Sequence, residues 1–334
     1  MKRYSQEYYN VYLDESSTVV GPLEKEGPLG NYFDLFYPDL FCNEKTFEKA
    51  EMKLLFKSIE LTLKKSKLKP DLAISGDLIN QNIISNYTYC NYDIPFIGVY
   101  GACSNFNMSI ITACNFIKAN NCNNVLISTS SHNLTSERQF RYPVEYGGPR
   151  PMTATFTATG AVSLILTNKE RLIKITKSTI SQIIKSEIKD PNNLGCAMAP
   201  VAVEVFLNHL KDFNLKPNNY DLILTGDLSN EGMKIFKEAV ETKLKIKLTN
   251  YSDCGITLYN IKKQKVFSGG SGCATVGLVT LTYVLNKLIN KEINNCLIIA
   301  TGALMNQIIL NQKETIATNA ICISLERSDI DDRI

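Results

Sequence analysis

The segment Leu68-Lys69-Pro70-Asp71-Leu72-Ala73-Ile74-Ser75-Gly76-Asp77-Leu78-Ile79-Asn80 returns far along the chain. Its second copy is Leu215-Lys216-Pro217, an insertion of two asparagines and Tyr220, and Asp221-Leu222-Ile223-Leu224-Thr225-Gly226-Asp227-Leu228-Ser229-Asn230. Two further pairs keep the same order. Gly101-Ala102-Cys103 and the run from Asn123 to Ser128 are matched by Gly272-Cys273-Ala274 and the run from Asn294 to Ile299. The apolar run from Ala161 to Leu166 is matched by that from Ala320 to Leu325. Order is kept while the spacing varies, which marks a duplicated domain and not a solenoid of short units. The division falls into an N-terminal half, 1–168, and a C-terminal half, 169–334.

Within each half, short apolar runs alternate with helical periodicity, the pattern of an α/β layering whose strands are covered on both faces. Strands are expected at 72–75, 96–100, 125–128 and 162–166, then at 222–225, 256–259, 297–300 and 321–325. Helices are expected over 44–66, from Ser104 or Asn105 through Ile117, over 200–213 and over 274–288. In the first of these Phe47, Met52, Leu55, Phe56, Ile59 and Leu63 make one apolar stripe, and lysines fill the solvated face.

Composition narrows the function. Of 334 residues 44% are hydrophobic and 21% charged, which suits one large or two moderate globular domains. Lys plus Arg number 36 and Asp plus Glu 33, so the net charge of +3 gives no field that favours nucleic acid. The N-terminal residues are basic and then polar and acidic, with no apolar core of a secretory signal, and a cytosolic start is expected. No apolar run approaches the ~18 residues of a membrane span. Ten cysteines without a C-x-x-C pair read as reduced thiols, and with only two histidines a zinc site has no support.

Cys103 stands where a strand turns into a helix. Free N–H groups and the helix dipole at such a place favour a thiolate, so a lowered pKa is expected if the residue is functional; a small buried thiol is the bland alternative. A proton acceptor would have to be histidine. His209 lies inside a helix and reads as structural, whereas His132, in Ser130-Ser131-His132-Asn133, follows a strand end, where α/β sheets collect their ligands. The stretch from Ser136 to Pro151 carries Arg138, Arg141 and Arg150 with Phe140, Tyr142 and Tyr146. Guanidinium forks and aromatic faces suit a flat anionic small molecule; a dimer-interface loop with internal Arg–Glu pairs fits the composition equally. Gly269-Gly270-Ser271-Gly272-Cys273 mirrors the first cysteine turn and offers N–H groups to an anion.

Taken together, Gly27-Pro28-Leu29-Gly30, Gly76-Asp77-Leu78, Gly101-Ala102-Cys103-Ser104, Ser130-Ser131-His132-Asn133, Glu137-Arg138-Gln139-Phe140-Arg141-Tyr142-Pro143, Ala197-Met198-Ala199-Pro200, Asp253-Cys254-Gly255, Gly269-Gly270-Ser271-Gly272-Cys273 and Ala300-Thr301-Gly302 resemble the stage V sporulation protein AD family, from about residue 10 to 327. The resemblance implies a thiolase-like fold with two similar α/β halves in a five-layer αβαβα arrangement. It also implies binding of dipicolinic acid, or its calcium chelate, for loading into the developing spore, together with membrane subunits of the same sporulation complex. The implied place is the cytoplasm of the forespore, peripheral at the inner membrane, and a homodimer is plausible for this fold.

Beside thiolase-like enzymes, Cys103 looks like the acyl-accepting cysteine. Gly226-Asp227 stands where initiating ketoacyl synthases place a second-half histidine, and about Gly270-Ser271 where their asparagine or a thiolase histidine belongs. Thr301-Gly302-Ala303 stands where degradative thiolases carry their second cysteine. The expectation is therefore a non-catalytic binder, with no cofactor beyond calcium brought by the ligand, for which Glu137, Glu145 or Asp227 would offer oxygens. The ligand site is expected to draw on Cys103, Ser104, His132, Asn133, Arg138, Arg141, Tyr142, Asp227, Gly270, Ser271, Gly272 and Cys273. The competing readings are an acyl-transferase or condensing enzyme acylated on Cys103, and a scaffold with a vestigial cleft.

Overall fold

The structure is a computed structural model, and it describes residues 4–140 and 149–328. Ten strands carry its main sheet. In the first half they are β1 (Tyr12–Val20), β2 (Leu72–Gly76), β3 (Phe96–Gly98), β4 (Asn124–Ser131) and β5 (Gly160–Thr167). In the second they are β6 (Ile173–Ile180), β7 (Leu222–Thr225), β8 (Tyr251–Asp253), β9 (Asn295–Leu304) and β10 (Ala317–Arg327). The spatial order is β8-β7-β9-β10-β6-β1-β5-β4-β2-β3, which reads as one five-strand order twice, outward from a central seam. At that seam β1 pairs antiparallel with β6, Tyr12 opposite Lys174 and Leu13 opposite Ile173.

Six helices place the site: α1 (Phe47–Lys65), α2 (Asn105–Lys118), α3 (Asn133–Phe140), α4 (Leu194–Asp212), α5 (Ser229–Leu244) and α6 (Cys273–Val279). Helix α1 covers one face of the first-half strands, and α4, with α5 packed on it, covers the far face of the second-half strands. Between them α2 touches strands of both halves, and α6 of the second half packs on β4 and β5 of the first. The Asn107 amide of α2 donates to Ile298 O of β9 and Ile321 O of β10, at 3.2 and 2.8 Å. The result is the expected five layers with two similar halves. Every residue of β5 is buried, as a strand covered on both faces requires.

Four local expectations change. Residues 256–259 do not form a strand: the chain pairs at Tyr251–Asp253 and then turns into a helix, Cys254–Leu258, because the Asp253 carboxylate accepts the Gly255 N–H at 2.8 Å and caps it. Helix α4 begins at Leu194 and not at Pro200. Leu194, Ala197, Met198 and Ala199 are buried on one side while Pro200 faces solvent, where the loss of one helix bond is tolerated. Strands β1 and β6 carry too many polar residues to stand out in the sequence, yet Ser17, Thr18, Ser178 and Thr179 are buried in them. The Arg-rich stretch is not loop from its start, since α3 runs to Phe140 before the first proline.

Candidate functional site

Cys103 sits in a single turn, Ala102–Ser104, that joins β3 to α2, with Ala102 held at φ 52°. Its side chain is buried together with Leu78, Ala102 and Cys273, and Phe140 and Leu304 pack over this cluster. The two cysteine turns of the duplicated chain thus meet at the starts of the two central helices. The first turn is fixed by Ser104, whose Oγ lies 2.7 Å from Gly101 O and 3.2 Å from Asn319 Oδ1 of β10. The second is fixed by Cys273, whose Sγ donates to Ser130 O at 2.9 Å.

The partner of Cys103 is a carboxylate. Asp227, just beyond β7, is fully buried and receives Ser271 Oγ at 2.8 Å, Thr301 Oγ1 at 2.9 Å and Gly272 N at 3.4 Å. Cys103 Sγ lies 3.7 Å from Ser271 Oγ, and that hydroxyl donates to the Asp227 carboxylate at 2.8 Å. Burial, then the charge of Asp227, push the thiol well above its ordinary value, although Ser271 and the Gly272 N–H work the other way. The lowered pKa expected from the helix terminus is therefore corrected. Desolvation and a neighbouring carboxylate outweigh a dipole of about half a charge. The Asp227 carboxyl is itself raised, by burial.

Gly270-Ser271 forms a two-residue parallel ladder with Phe156-Thr157, which presents Ser271 to Asp227. Gly272 has φ 98°, and a Cβ there would lie 2.8 Å from Ser131 Oγ and 2.9 Å from Thr157 Cγ2, so only glycine fits this turn.

His132 is not a member of this cluster. Leu134 N donates to its Nδ1 at 3.1 Å, and its Nε2 donates to Leu40 O at 2.8 Å, so both ring nitrogens are taken by backbone. The ring lies against Phe47 of α1, in the outer layer, and burial pulls its pKa down to about 4. The cause is strand parity. Ser131 accepts from Ala274 N of α6, on the inner side, so the next residue along the extended chain points to the other face. Arg138 likewise lies outside this cluster: it is exposed, pairs with Glu48 of α1 at 2.7 Å and lies over the Phe47 ring. His209 is structural, as expected, with Nδ1 at 2.9 Å from Thr179 Oγ1 and Nε2 at 2.7 Å from Tyr220 OH.

Asn133 and Ser136 occupy one face of α3, and the Asn133 Nδ2 and Ser136 Oγ atoms are buried without a hydrogen-bond partner. Glu137, 3% exposed, pairs with Arg150 at 2.5 Å, so an internal Arg–Glu pair ties together the two sides of the Arg-rich stretch. Arg141, Tyr142 and Glu145 lie outside the described residues.

Sequence reasoning missed several groups near the site. Glu24 is fully buried; Tyr259 OH and Thr159 N donate to its Oε1, the latter at 2.9 Å, and burial raises its pKa to about 7. Glu51 of α1 is buried beneath β4, taking Ser130 Oγ at 3.0 Å and Thr135 Oγ1 at 2.6 Å, and burial raises it as well. An acidic residue on the apolar side of a helical stripe was the available signal for Glu51.

No group of three or more His, Cys, Asp or Glu among the described residues is arranged to hold a metal ion. No helix among them is long and apolar enough to cross a membrane. A cavity of about 770 Å³ lies elsewhere, at the opposite end of the second-half strands.

Comparison with known proteins adds the following. The family model described as stage V sporulation protein AD matches residues 6–326. A stage V sporulation protein AD from Bacillus subtilis (strain 168) is 40% identical over 321 residues, covering 95% of each chain. Among solved structures, 3-oxoacyl-[acyl-carrier-protein] synthase III from Aquifex aeolicus VF5 is similar at TM-score 0.56 and 15% identity, over 95% of this chain and 100% of that one. OleA from Xanthomonas campestris gives TM-score 0.60 at 11% identity, over 96% and 99%. Human mitochondrial 3-ketoacyl-CoA thiolase gives 0.54 at 12%, over 95% and 99%. Likeness at these identities speaks to the fold, which is thiolase-like.

Proposed function

The chain belongs to the stage V sporulation protein AD family, and from that premise we propose that it is a non-catalytic binding protein for dipicolinic acid, free or as its calcium chelate. In this reading it works beside membrane subunits of a sporulation complex, on the forespore side of the inner membrane. The observation that carries the non-catalytic part is the placing of Cys103 beside Asp227, with the Ser271 hydroxyl between them. A condensing enzyme needs a thiolate at this turn, and here a thiol is held protonated against a buried carboxylate, with both histidines engaged elsewhere.

Support for ligand binding comes from α3. It carries two buried polar atoms without partners, Asn133 Nδ2 and Ser136 Oγ, and it ends in Phe140 over the Cys103 cluster. Arg141 and Tyr142 follow Phe140 directly, and we assign them to the ligand's carboxylates and ring. Calcium enters only with the ligand, because Asp227 and Glu137 are committed to protein partners.

Calorimetric titration of the full chain with dipicolinate, with and without calcium, tests this reading. Saturable binding that is weakened in Arg141→Ala and Asn133→Ala is expected; no heat of binding in either condition removes the assignment. A second reading, acyl transfer, is favoured by one observation, since Asp227 is a proton acceptor within reach of Cys103. Intact mass after incubation with acyl-thioesters separates the two: a stoichiometric adduct on Cys103 selects the enzyme.

A further inference from the structure

The cavity of about 770 Å³ lies at the end of the second-half strands opposite the Cys103 cluster. It is bounded by the C-terminal ends of α4 and α5 and by the segments that lead into β7 and β8. Its volume is that of a small-molecule site. Leu207, Leu210, Leu215, Leu244 and Ile246 give it an apolar wall. Tyr220 closes one side and is fixed from behind, since its hydroxyl lies 2.7 Å from His209 Nε2 and 2.8 Å from Ser324 Oγ.

The charged residues of the lining are all of one sign. Lys211, Lys216 and Lys247 line it, all three exposed, and no aspartate or glutamate does. Among the described residues none of these three ammonium groups has a carboxylate within 4.0 Å. The nearby acids are occupied: Asp212 takes the Ser5 hydroxyl at 2.7 Å, and Glu241 takes Leu248 N at 2.8 Å.

The cavity is built from what the second copy adds to the repeat. Leu215-Lys216-Pro217 repeats Leu68-Lys69-Pro70, but three residues, Asn218, Asn219 and Tyr220, are inserted after it, and Asn218 and Tyr220 are in the lining. Helix α5 is 16 residues long where the first half has a 7-residue helix, Ile83–Tyr89. The last residue of α5, Leu244, and the segment after it supply the remaining wall. A duplicated element has thus been lengthened into a concave apolar surface with a cationic mouth.

We infer that this cavity binds a single-chain amphiphilic carboxylate, its apolar body on the leucine wall and its anionic head among Lys211, Lys216 and Lys247. The site is separate from the one assigned to dipicolinate.

The probe is dodecanoate, titrated calorimetrically into the full chain below its micelle concentration. One saturable site is expected. Its affinity falls about tenfold in the triple variant Lys211→Glu, Lys216→Glu, Lys247→Glu, in which three solvent-exposed charge contacts are reversed. Ile246→Asp, at an exposed edge of the wall, abolishes it. The same triple variant binds dipicolinate as the unaltered chain does, so failure here and failure of the dipicolinate reading are distinguishable. Three results overturn the inference: no saturable dodecanoate binding, affinity unchanged in the triple variant, or equal affinity for dodecyltrimethylammonium. Binding to phosphatidylglycerol vesicles without binding to dodecanoate overturns it in favour of a membrane surface.

Discussion

The thiol of Cys103 and the carboxylate of Asp227 come from opposite copies of a duplicated chain and flank the Ser271 hydroxyl, at 3.7 and 2.8 Å from it, in a region closed to solvent. A negative charge beside a sulfur makes the thiolate costly, so this cysteine is expected to be slow toward electrophiles. At pH 8, iodoacetamide should label the exposed Cys90 at least about tenfold faster than Cys103, as read by peptide mass mapping. Asp227→Asn removes the charge and should speed Cys103 labelling by roughly tenfold. Equal labelling of Cys90 and Cys103 in the unaltered chain would remove the physical basis of the non-catalytic reading.

Arg138 and Arg150, one on each side of residues 141–148, are expected to differ in weight. The Arg138 side chain is 54% exposed in its pair with Glu48, so Arg138→Ala should cost no more than about 0.5 kcal/mol. Arg150→Ala removes the cationic partner of Glu137, whose side chain is 3% exposed, and should cost about 2 kcal/mol. Urea unfolding of both variants gives the comparison, and equal costs would contradict the assigned geometry. Arg138→Ala should leave dipicolinate affinity unchanged.

Glu24 has its folded pKa raised from 4.5 to about 7 by burial. For an acid raised in this way, the folded state holds the extra proton. Its contribution to stability is whole below pH 4.5 and is lost as pH rises through 7. Glu24→Gln should therefore gain on the unaltered chain between pH 5 and pH 8, by roughly 2 to 3 kcal/mol for a carboxyl raised from 4.5 to about 7. Denaturant unfolding at pH 5, 6.5 and 8 measures the difference. A gap between the two proteins that does not change with pH would show that Glu24 is ionised when folded.

Gly272→Ala places a methyl group against Ser131 and Thr157 in a backbone conformation that side chains avoid. A loss of about 2 kcal/mol is expected, read as a lowered melting temperature. The same change displaces Ser271 from Asp227, so Cys103 labelling should change with it. A variant as stable as the parent would mean that the turn is not held as described.

The layered fold was legible because the repeat and the apolar runs report directly on burial: β5 and α1 lie where periodicity put them. Strands β1 and β6 were not legible, since their buried serines and threonines are satisfied by partners far away in sequence, such as His209 for Thr179. The site was legible in part. The cysteine turn, Ser271 and Asp227 were all singled out, but the contact that joins them requires both copies to be folded against each other. His132 and Arg138 lie apart from that cluster for a local reason, the direction in which one strand end and one short helix turn their side chains. Alternation along β4 already contained the answer for His132.

The seam where β1 pairs with β6, together with the Asn107 amide bonded to two strands of the other copy, has a historical consequence. Once ancestral twins share backbone pairing and exchange side-chain donors, neither can return to life as a free-standing protein. Each is then released from having to work alone, and asymmetric changes such as a lengthened helix on one side, or an acid facing its sibling's sulfur, can accumulate without a matching change opposite.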